Sequence, residues 1–250
     1  MNFLLVGIIG LIIGSFLNVC IYRIPREESI CYPPSHCEIC NHRLYFKDLV
    51  PFFSYIFLNG KCRYCREKIS LRYLIIEILN SMLFISIYIK FGFTEDTIKY
   101  CFFASLLIVI AFIDHNTQNV YNSTIIFGVA AGIVFLILEK AVYDISPIYN
   151  IAGFVLGVML IGLLVFLTRG MGEGDIGIAA LCGLFLGAKL ILINLFLAIF
   201  IGGIIGAVIL LFKLKNKKDS MAFGPSLALG AFISMLFGNM LIDKYFEMFL

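Results

Sequence analysis

The chain has 250 residues, of which 61% are hydrophobic and 14% are charged, and its mean hydropathy is +1.01 with a formal net charge of +3. A soluble domain averages about 45–50% apolar and about 25% charged residues, so a single water-soluble core cannot absorb this excess. The composition indicates a polytopic membrane protein and excludes a disordered chain, a secreted disulfide mini-protein and a cytosolic α/β enzyme.

Eight apolar segments are candidates for transmembrane helices. A span needs roughly 20 apolar residues, which rise about 1.5 Å each along the helix axis. The run from Ile176 to Phe212 has 37 residues, and a single helix of that length would extend about 55 Å, so we divide it in two. The predicted fold class is therefore all-α, with about eight transmembrane helices. The segments are 2–22, 72–90, 98–114, 122–139, 148–168, 175–189, 190–212 and 222–242.

The only sizeable polar segment, residues 23–71, lies between the first two spans. It carries two CxxC pairs separated by 21 residues, namely Cys37 and Cys40, then Cys62 and Cys65. Each pair can form one edge of a tetrahedron, and this spacing is typical of a four-thiolate zinc site. A thiol–disulfide relay and free cysteines are the alternatives. His36 and His42 flank the first pair, and we expect them to be surface residues.

The distribution of Lys and Arg predicts the orientation, because basic connections stay in the cytoplasm. With the N-terminus outside, 14 of the 19 basic residues fall on the inside and 5 on the outside. Loop 23–71 is then cytoplasmic, where reducing conditions favour metal-binding thiolates over disulfides. The inside basic residues are Arg23, Arg26, Arg43, Lys47, Lys61, Arg63, Arg66, Lys68, Arg72, Arg169, Lys213, Lys215, Lys217 and Lys218.

Three ionisable residues stand out within the spans, and each is a functional hypothesis because charge is costly there. They are Glu77, Asp114 and Asp175. In the predicted orientation, Asp114 closes the third span and Asp175 opens the sixth, so both carboxylates reach the cytoplasmic face. Two carboxylates in a partly dry cleft can share one proton, and together they can activate a water and protonate a leaving amine. The alternative is that each caps a helix end or is an interfacial charge.

Asp175 ends the run Gly172-Glu173-Gly174-Asp175. Gly172 and Gly174 allow the backbone to turn sharply and to approach a peptide closely. We therefore expect these two glycines to support the candidate catalytic loop. Glu77 is a candidate for helix packing, as are Gly14 and Asn18 in the first span, because small residues and amides join membrane helices.

The ordered set of motifs resembles the type IV prepilin peptidases, bifunctional membrane enzymes of the GxGD aspartic protease class. The resemblance covers nearly the whole chain and rests on several motifs in order. They are Gly14-Ser15-Phe16-Leu17-Asn18-Val19, the paired CxxC loop with Gly60-Lys61-Cys62-Arg63, Arg72-Tyr73 followed by Glu77, Asp114, the GxGD run, and Phe223-Gly224-Pro225.

The resemblance implies a catalytic dyad of Asp114 and Asp175 and a structural Zn²⁺ held by the four cysteines. It implies cleavage of prepilin or pseudopilin leaders after a glycine, on the cytoplasmic side of the bacterial inner membrane, for a type IV pilus or a protein secretion machine. It also implies N-methylation of the new terminus with S-adenosylmethionine, and no nucleic-acid partner. The domains expected are a first transmembrane helix, a zinc-binding loop domain and a transmembrane peptidase core, at residues 1–22, 23–71 and 72–250.

The chain departs from the family pattern at three places. Gly177 stands where a lysine usually follows the GxGD motif, and Leu74 stands where a proline usually follows Arg-Tyr. Residues Val120-Tyr121-Asn122 replace an Ile-Pro-Asp-like triplet. No departure removes a candidate catalytic carboxylate. A membrane thiol–disulfide oxidoreductase that uses the CxxC pairs and a non-catalytic membrane scaffold are the alternative functions.

The predicted orientation can be tested with reporter fusions. We expect alkaline phosphatase, which is active only after export, to be inactive when fused after Ser70 and active when fused after Gly92. The physical reason is the excess of Lys and Arg on the inside, which holds those segments in the cytoplasm. Activity from the Ser70 fusion together with silence from the Gly92 fusion would reverse the orientation.

Overall fold

The computed structural model describes residues 3–168, 171–212 and 221–249. Within these ranges the secondary structure is helical apart from two isolated β-bridges, which confirms the all-α prediction. The helices are α1 (Phe3–Arg23), α2 (Phe53–Phe57), α3 (Leu71–Phe91), α4 (Glu95–Thr117), α5 (Asn122–Tyr143), α6 (Ile148–Thr168), α7 (Glu173–Leu211) and α8 (Gly224–Phe249). Seven of these described helices, all except α2, are long and apolar enough to cross a membrane.

Helix α7 accounts for two of the eight predicted spans. Its 39 residues contain a break at Gly187, where φ is 77° and ψ is 172°. Only glycine adopts this left-handed φ without strain, so two helical segments meet there. The predicted division at 189/190 lies within three residues of the break. The Asn150 amide compensates the break by donating to the Leu184 carbonyl oxygen at 2.9 Å.

Part of the orientation argument rests on residues outside the described ranges. These are Arg169, Lys213, Lys215, Lys217 and Lys218, together with the turn predicted over 213–219. The described chain forms two compact units, Met1–Val109 and Ile110–Leu250.

In the first unit, α1 and α3 pack in close antiparallel contact. A Cβ atom added at Gly10 would lie 2.7 Å from Cα of Ser81, and one added at Gly14 would lie 2.8 Å from Cα of Glu77. Small residues allow this approach of two backbones, which is how membrane helices gain packing energy without a hydrophobic driving force. Side chains of α3 also donate to α1 carbonyl oxygens, as Asn80 does to Gly10 at 2.7 Å.

Loop 23–71 is anchored to α1 and α3 by side-chain hydrogen bonds. The Arg23 guanidinium donates to the carbonyl oxygens of Ser29 (2.8 Å) and Pro33 (2.7 Å). On α3, the Tyr73 hydroxyl donates to Glu38 at 2.8 Å. The loop is therefore held at the carboxyl end of α1 and the amino end of α3.

In the second unit, α6 and α7 make the closest backbone contact. Gly153 of α6 faces Gly183 of α7, and a Cβ atom on either residue would overlap the backbone of the other. Gly157 meets the Ala179 carbonyl oxygen in the same way, one turn along. The amino-terminal half of α7 is accordingly buried, and its position relative to α6 depends on glycine.

Substitution of Gly153 by alanine should destabilise the second unit. Its Cβ would meet rigid backbone, and overpacking of this kind costs about 1–3 kcal/mol. The matched control is Gly162→Ala on the same helix, where no atom lies within 4 Å of the added Cβ, so that change should be neutral or slightly stabilising. The free energy of unfolding in detergent micelles measures both. Equal stability of the two variants would contradict the packing.

Candidate active site and metal centre

Asp114 lies near the carboxyl end of α4, and its side chain is oriented by the start of α8. The residue is 4% exposed. Its Oδ2 accepts a hydrogen bond from the Gly224 N–H at 2.8 Å. A Cβ atom at Gly224 would lie 2.5 Å from that oxygen. Glycine is therefore required here, because any side chain would displace the carboxylate from the helix end that holds it.

Asp175 lies in the first turn of α7 and is 5% exposed. Its Oδ2 accepts a hydrogen bond from the Gly172 N–H at 3.1 Å, and its own N–H donates to the Gly172 carbonyl oxygen at 3.1 Å. A carboxylate in this position satisfies an N–H group at the helix start and interacts favourably with the helix dipole.

The structure brings the two predicted aspartates into one site. Gly224 contacts both Asp114 and Ile178, whose Cδ1 atom would lie 3.1 Å from an added Cβ. Ile178 is one helical turn beyond Asp175 on α7. Both carboxylates thus lie at helix ends within the compact unit Ile110–Leu250.

The two glycines of the GxGD run differ in their surroundings. An added Cβ at Gly174 would lie 2.5 Å from Cβ of Val120, so a larger residue does not fit. At Gly172 the nearest atom is Asp175 Oδ2 at 3.8 Å, which leaves space for a side chain. The steric requirement for glycine is therefore specific to Gly174, which packs against Val120.

Gly177, which stands where the family pattern has a lysine, also lies close to a neighbouring side chain. A Cβ at Gly177 would lie 3.2 Å from the side chain of Ile125 on α5. A lysine at this position would need the Ile125 side chain to move. Glycine therefore fits the space that Ile125 leaves. His115, next to Asp114, is exposed.

The four predicted cysteine ligands form one cluster in loop 23–71. Their sulfur atoms all lie within 4.8 Å of one another, close enough to hold a metal ion. Neither His36 nor His42 belongs to this cluster, and Cys31 is exposed outside it. The cluster consists of Cys37, Cys40, Cys62 and Cys65.

The two CxxC pairs occupy equivalent backbone turns. The Cys37 carbonyl oxygen accepts a hydrogen bond from the Asn41 N–H at 2.9 Å, and the Cys62 carbonyl oxygen accepts one from the Arg66 N–H at 3.0 Å. Asn41 and Arg66 both have left-handed φ angles, 54° and 64°. This repeated turn was not visible from the residue types, which share only the cysteines. It directs each pair of sulfur atoms to the same point.

Electrostatics within the loop favour the thiolate form of Cys62 and fix the second turn. Burial opposes ionisation of Cys62, but N–H groups of Cys65 and Tyr64 and the neighbouring thiols lower the pKa of its thiol to about 7. At Cys65 the Glu67 N–H lowers the pKa of the thiol, but burial and the other three thiols outweigh it and raise that pKa to about 12. Burial likewise opposes the charged form of Asp48. Hydrogen bonds from Arg63 (2.6 Å), the Tyr45 N–H and Tyr64 outweigh it and lower the pKa of this carboxyl.

The fold is that of a polytopic membrane protein with two buried aspartates, each at a helix end. Residues 8–91 match the bacterial peptidase A24 N-terminal domain, and residues 101–207 match the type IV leader peptidase family.

Three relatives share the name prepilin leader peptidase/N-methyltransferase. The Bacillus subtilis protein is 32% identical over 96% of each chain. The Myxococcus xanthus protein is 33% identical over 86% of this chain and 67% of its own, and the Pseudomonas putida protein is 27% identical over 94% and 90%. No solved structure gives a significant match. The chain belongs to the type IV leader peptidase family.

The cysteine cluster predicts one bound divalent metal ion per chain. Cys62→Ser should abolish stoichiometric metal and lower the melting temperature of the loop, because binding energy at such a site is also folding energy. Cys31→Ser is the matched control, since Cys31 lies in the same loop but outside the cluster. Elemental analysis and thermal melting of the purified chains measure the effect, and full metal content in Cys62→Ser would contradict it.

Proposed function

We propose that this chain is a membrane-embedded aspartic endopeptidase that removes the leader from type IV prepilins or pseudopilins after a glycine, and then N-methylates the new amino terminus. The observation that carries the proposal is the pairing of Asp114 and Asp175 at helix ends. The name shared by the relatives supports both the substrate and the second activity, and it favours neither a thiol oxidoreductase nor a scaffold.

The two aspartates divide the acid and base roles of peptide hydrolysis. One carboxylate takes a proton from water as the oxygen attacks the scissile carbonyl carbon. The other, protonated, donates its proton to the amide nitrogen as the C–N bond breaks. Oδ2 of each is oriented by a backbone N–H, from Gly224 and from Gly172. We therefore assign the reacting role to the opposite oxygen, Oδ1, of Asp114 and of Asp175.

We place this site at the cytoplasmic face of the bacterial inner membrane, with the N-terminus outside. The excess of Lys and Arg in the inside connections supports this orientation. A prepilin leader is basic and remains in the cytoplasm, so the scissile bond would reach the aspartates where the apolar substrate helix enters the membrane.

The four cysteines would hold a structural Zn²⁺, and loop 23–71 would form the zinc-binding domain. Zn–S distances of about 2.3 Å give a tetrahedron with edges of about 3.8 Å. The Cys37 and Cys65 sulfur atoms are 3.8 Å apart, so the donor set fits zinc. Four thiolates fill the coordination sphere and leave no position for water, so the metal would stabilise the loop rather than take part in hydrolysis.

The peptidase proposal is tested by cleavage of a reconstituted substrate. The substrate is a peptide with a basic leader that ends in glycine, followed by phenylalanine and an apolar helix. We expect Asp114→Asn and Asp175→Asn each to reduce the cleavage rate about 100-fold or more, which is the contribution typical of a positioned acid or base.

Glu173→Gln is the matched control, because Glu173 is an exposed carboxylate two residues from Asp175. Its cleavage rate should stay within about twofold of the wild-type rate. Normal cleavage by either aspartate variant, with the fold intact by circular dichroism, would overturn the aspartic mechanism. Mass spectrometry of the product terminus tests methylation separately.

A further inference from the structure

A second cluster of buried polar groups lies between α1 and α3, within the compact unit Met1–Val109. Glu77 is 7% exposed and Asn18 is 1% exposed. Gly14 packs against Cα of Glu77, and Asn18, one turn later, donates to the Tyr73 carbonyl oxygen at 3.1 Å. The Asn18 amide and the Glu77 carboxylate therefore lie at adjoining turns of one helix contact.

The Glu77 carboxylate has hydrogen-bond donors but no countercharge, and one acceptor beside it has no donor. Glu77 Oε2 accepts from the Phe52 N–H at 2.7 Å, and Ser15 lies beside the same carboxylate. Among the described residues no Lys, Arg or His forms an ion pair with Glu77. Asn18 Oδ1 is buried and has no hydrogen-bond partner. A buried carboxylate without a countercharge and an orphaned buried oxygen are both costly, and together they favour a cationic ligand.

Arg72, five residues before Glu77 in α3, has a donor that lacks an acceptor. Its Nε atom is buried without a hydrogen-bond partner. A guanidinium group matches the geometry of a carboxylate and can bind it through two parallel hydrogen bonds. The start of this helix therefore offers both acceptors for a positive group and a donor for a carboxylate. These are the two charges that an α-amino acid carries.

We propose that Asn18, Arg72 and Glu77 bind S-adenosylmethionine, an inference that rests on the methyltransferase activity proposed above. Its ammonium and sulfonium groups are positive and suit Glu77 and Asn18 Oδ1, and its α-carboxylate suits Arg72. When bound, it supplies a methyl group: the N–C bond forms at the substrate amine as the S–C bond breaks, the electron pair stays on sulfur, and the amine proton goes to water.

The aromatic residues of the loop lie next to this cluster. The Phe52 N–H that binds Glu77 also places the Phe52 and Phe53 rings, whose centroids are 5.3 Å apart in an edge-to-face pair. Such rings offer a surface for the adenine base. Phe52 has a φ of 64°, a strained value for a bulky residue. Its segment covers Glu77 and would move when the ligand binds.

The test is calorimetric titration of the full-length protein in lipid nanodiscs with S-adenosylmethionine. We expect Glu77→Gln and Asn18→Ala each to weaken binding about tenfold or more. The glutamine keeps an oxygen that accepts from Phe52, so it removes the charge while preserving the loop anchor. The matched control is Ser81→Ala on the same contact, where the hydroxyl is satisfied by the Gly7 carbonyl oxygen at 2.9 Å. Its affinity should change less than twofold.

The outcomes separate this site from the proposed function. If the wild type binds the methyl donor and both variants bind equally well, the site assignment is wrong while the methyltransferase proposal stands. If the wild type binds none, both are overturned, and leader cleavage still tests the peptidase independently.

A second measurement uses the wild-type protein, so its result does not depend on whether a variant keeps its fold. Radiolabelled S-adenosylmethionine is crosslinked to the protein by ultraviolet light, and the labelled peptides are mapped. Label within residues 14–18, 50–57 or 72–77 supports the site, and label confined to other segments overturns it.

Discussion

The structure depends on the constraint that hydrocarbon imposes on polar groups, which must find their partners inside the protein. Helices satisfy their own backbones, but helix ends, breaks and polar side chains need further partners. In this chain the partners are backbone N–H and C=O groups of neighbouring helices, which close helix packing brings within reach. Asn80 reaches the Gly10 carbonyl oxygen, and Asn150 reaches the Leu184 carbonyl oxygen beside the break in α7. Small residues make those contacts possible, because only they let two backbones approach to hydrogen-bonding range.

The candidate active site applies the same solution to two carboxylates. An aspartate within a membrane span is costly unless something stabilises and orients it. Here a glycine N–H holds one oxygen of each, Gly224 for Asp114 and Gly172 for Asp175. Because these donors belong to helix starts, they cannot rotate away as side chains can. The helix ends therefore set the position of each carboxylate within the unit.

The loop between α1 and α3 is stabilised differently, because it has little apolar surface to bury. A short segment of this kind usually needs a metal or other crosslink to define its conformation. Four cysteines in two equivalent turns would supply that crosslink when a metal is bound, and Asp48 ties the second turn to the segment before α2. The cluster of Glu77 and Asn18 is the place where the loop and the spans meet. There a buried carboxylate without a countercharge lies beside an unpaired amide oxygen, which is why we assign the cluster a ligand.

Sequence reasoning alone predicted the class of fold and the approximate positions of the spans, and it selected the four cysteines and the two aspartates that the structure brings together. Those features follow from local composition and spacing, since hydropathy selects helices and CxxC pairs select tetrahedral thiolates. It did not indicate that Gly224 would donate to Asp114, that Val120 would pack on Gly174, or that Asn18 would be left with an unpaired oxygen. Each of these depends on which residues from distant parts of the chain share a helix contact. Only the tertiary structure decides that, because the register of two packed helices is set by the sum of many small contacts and not by any one residue.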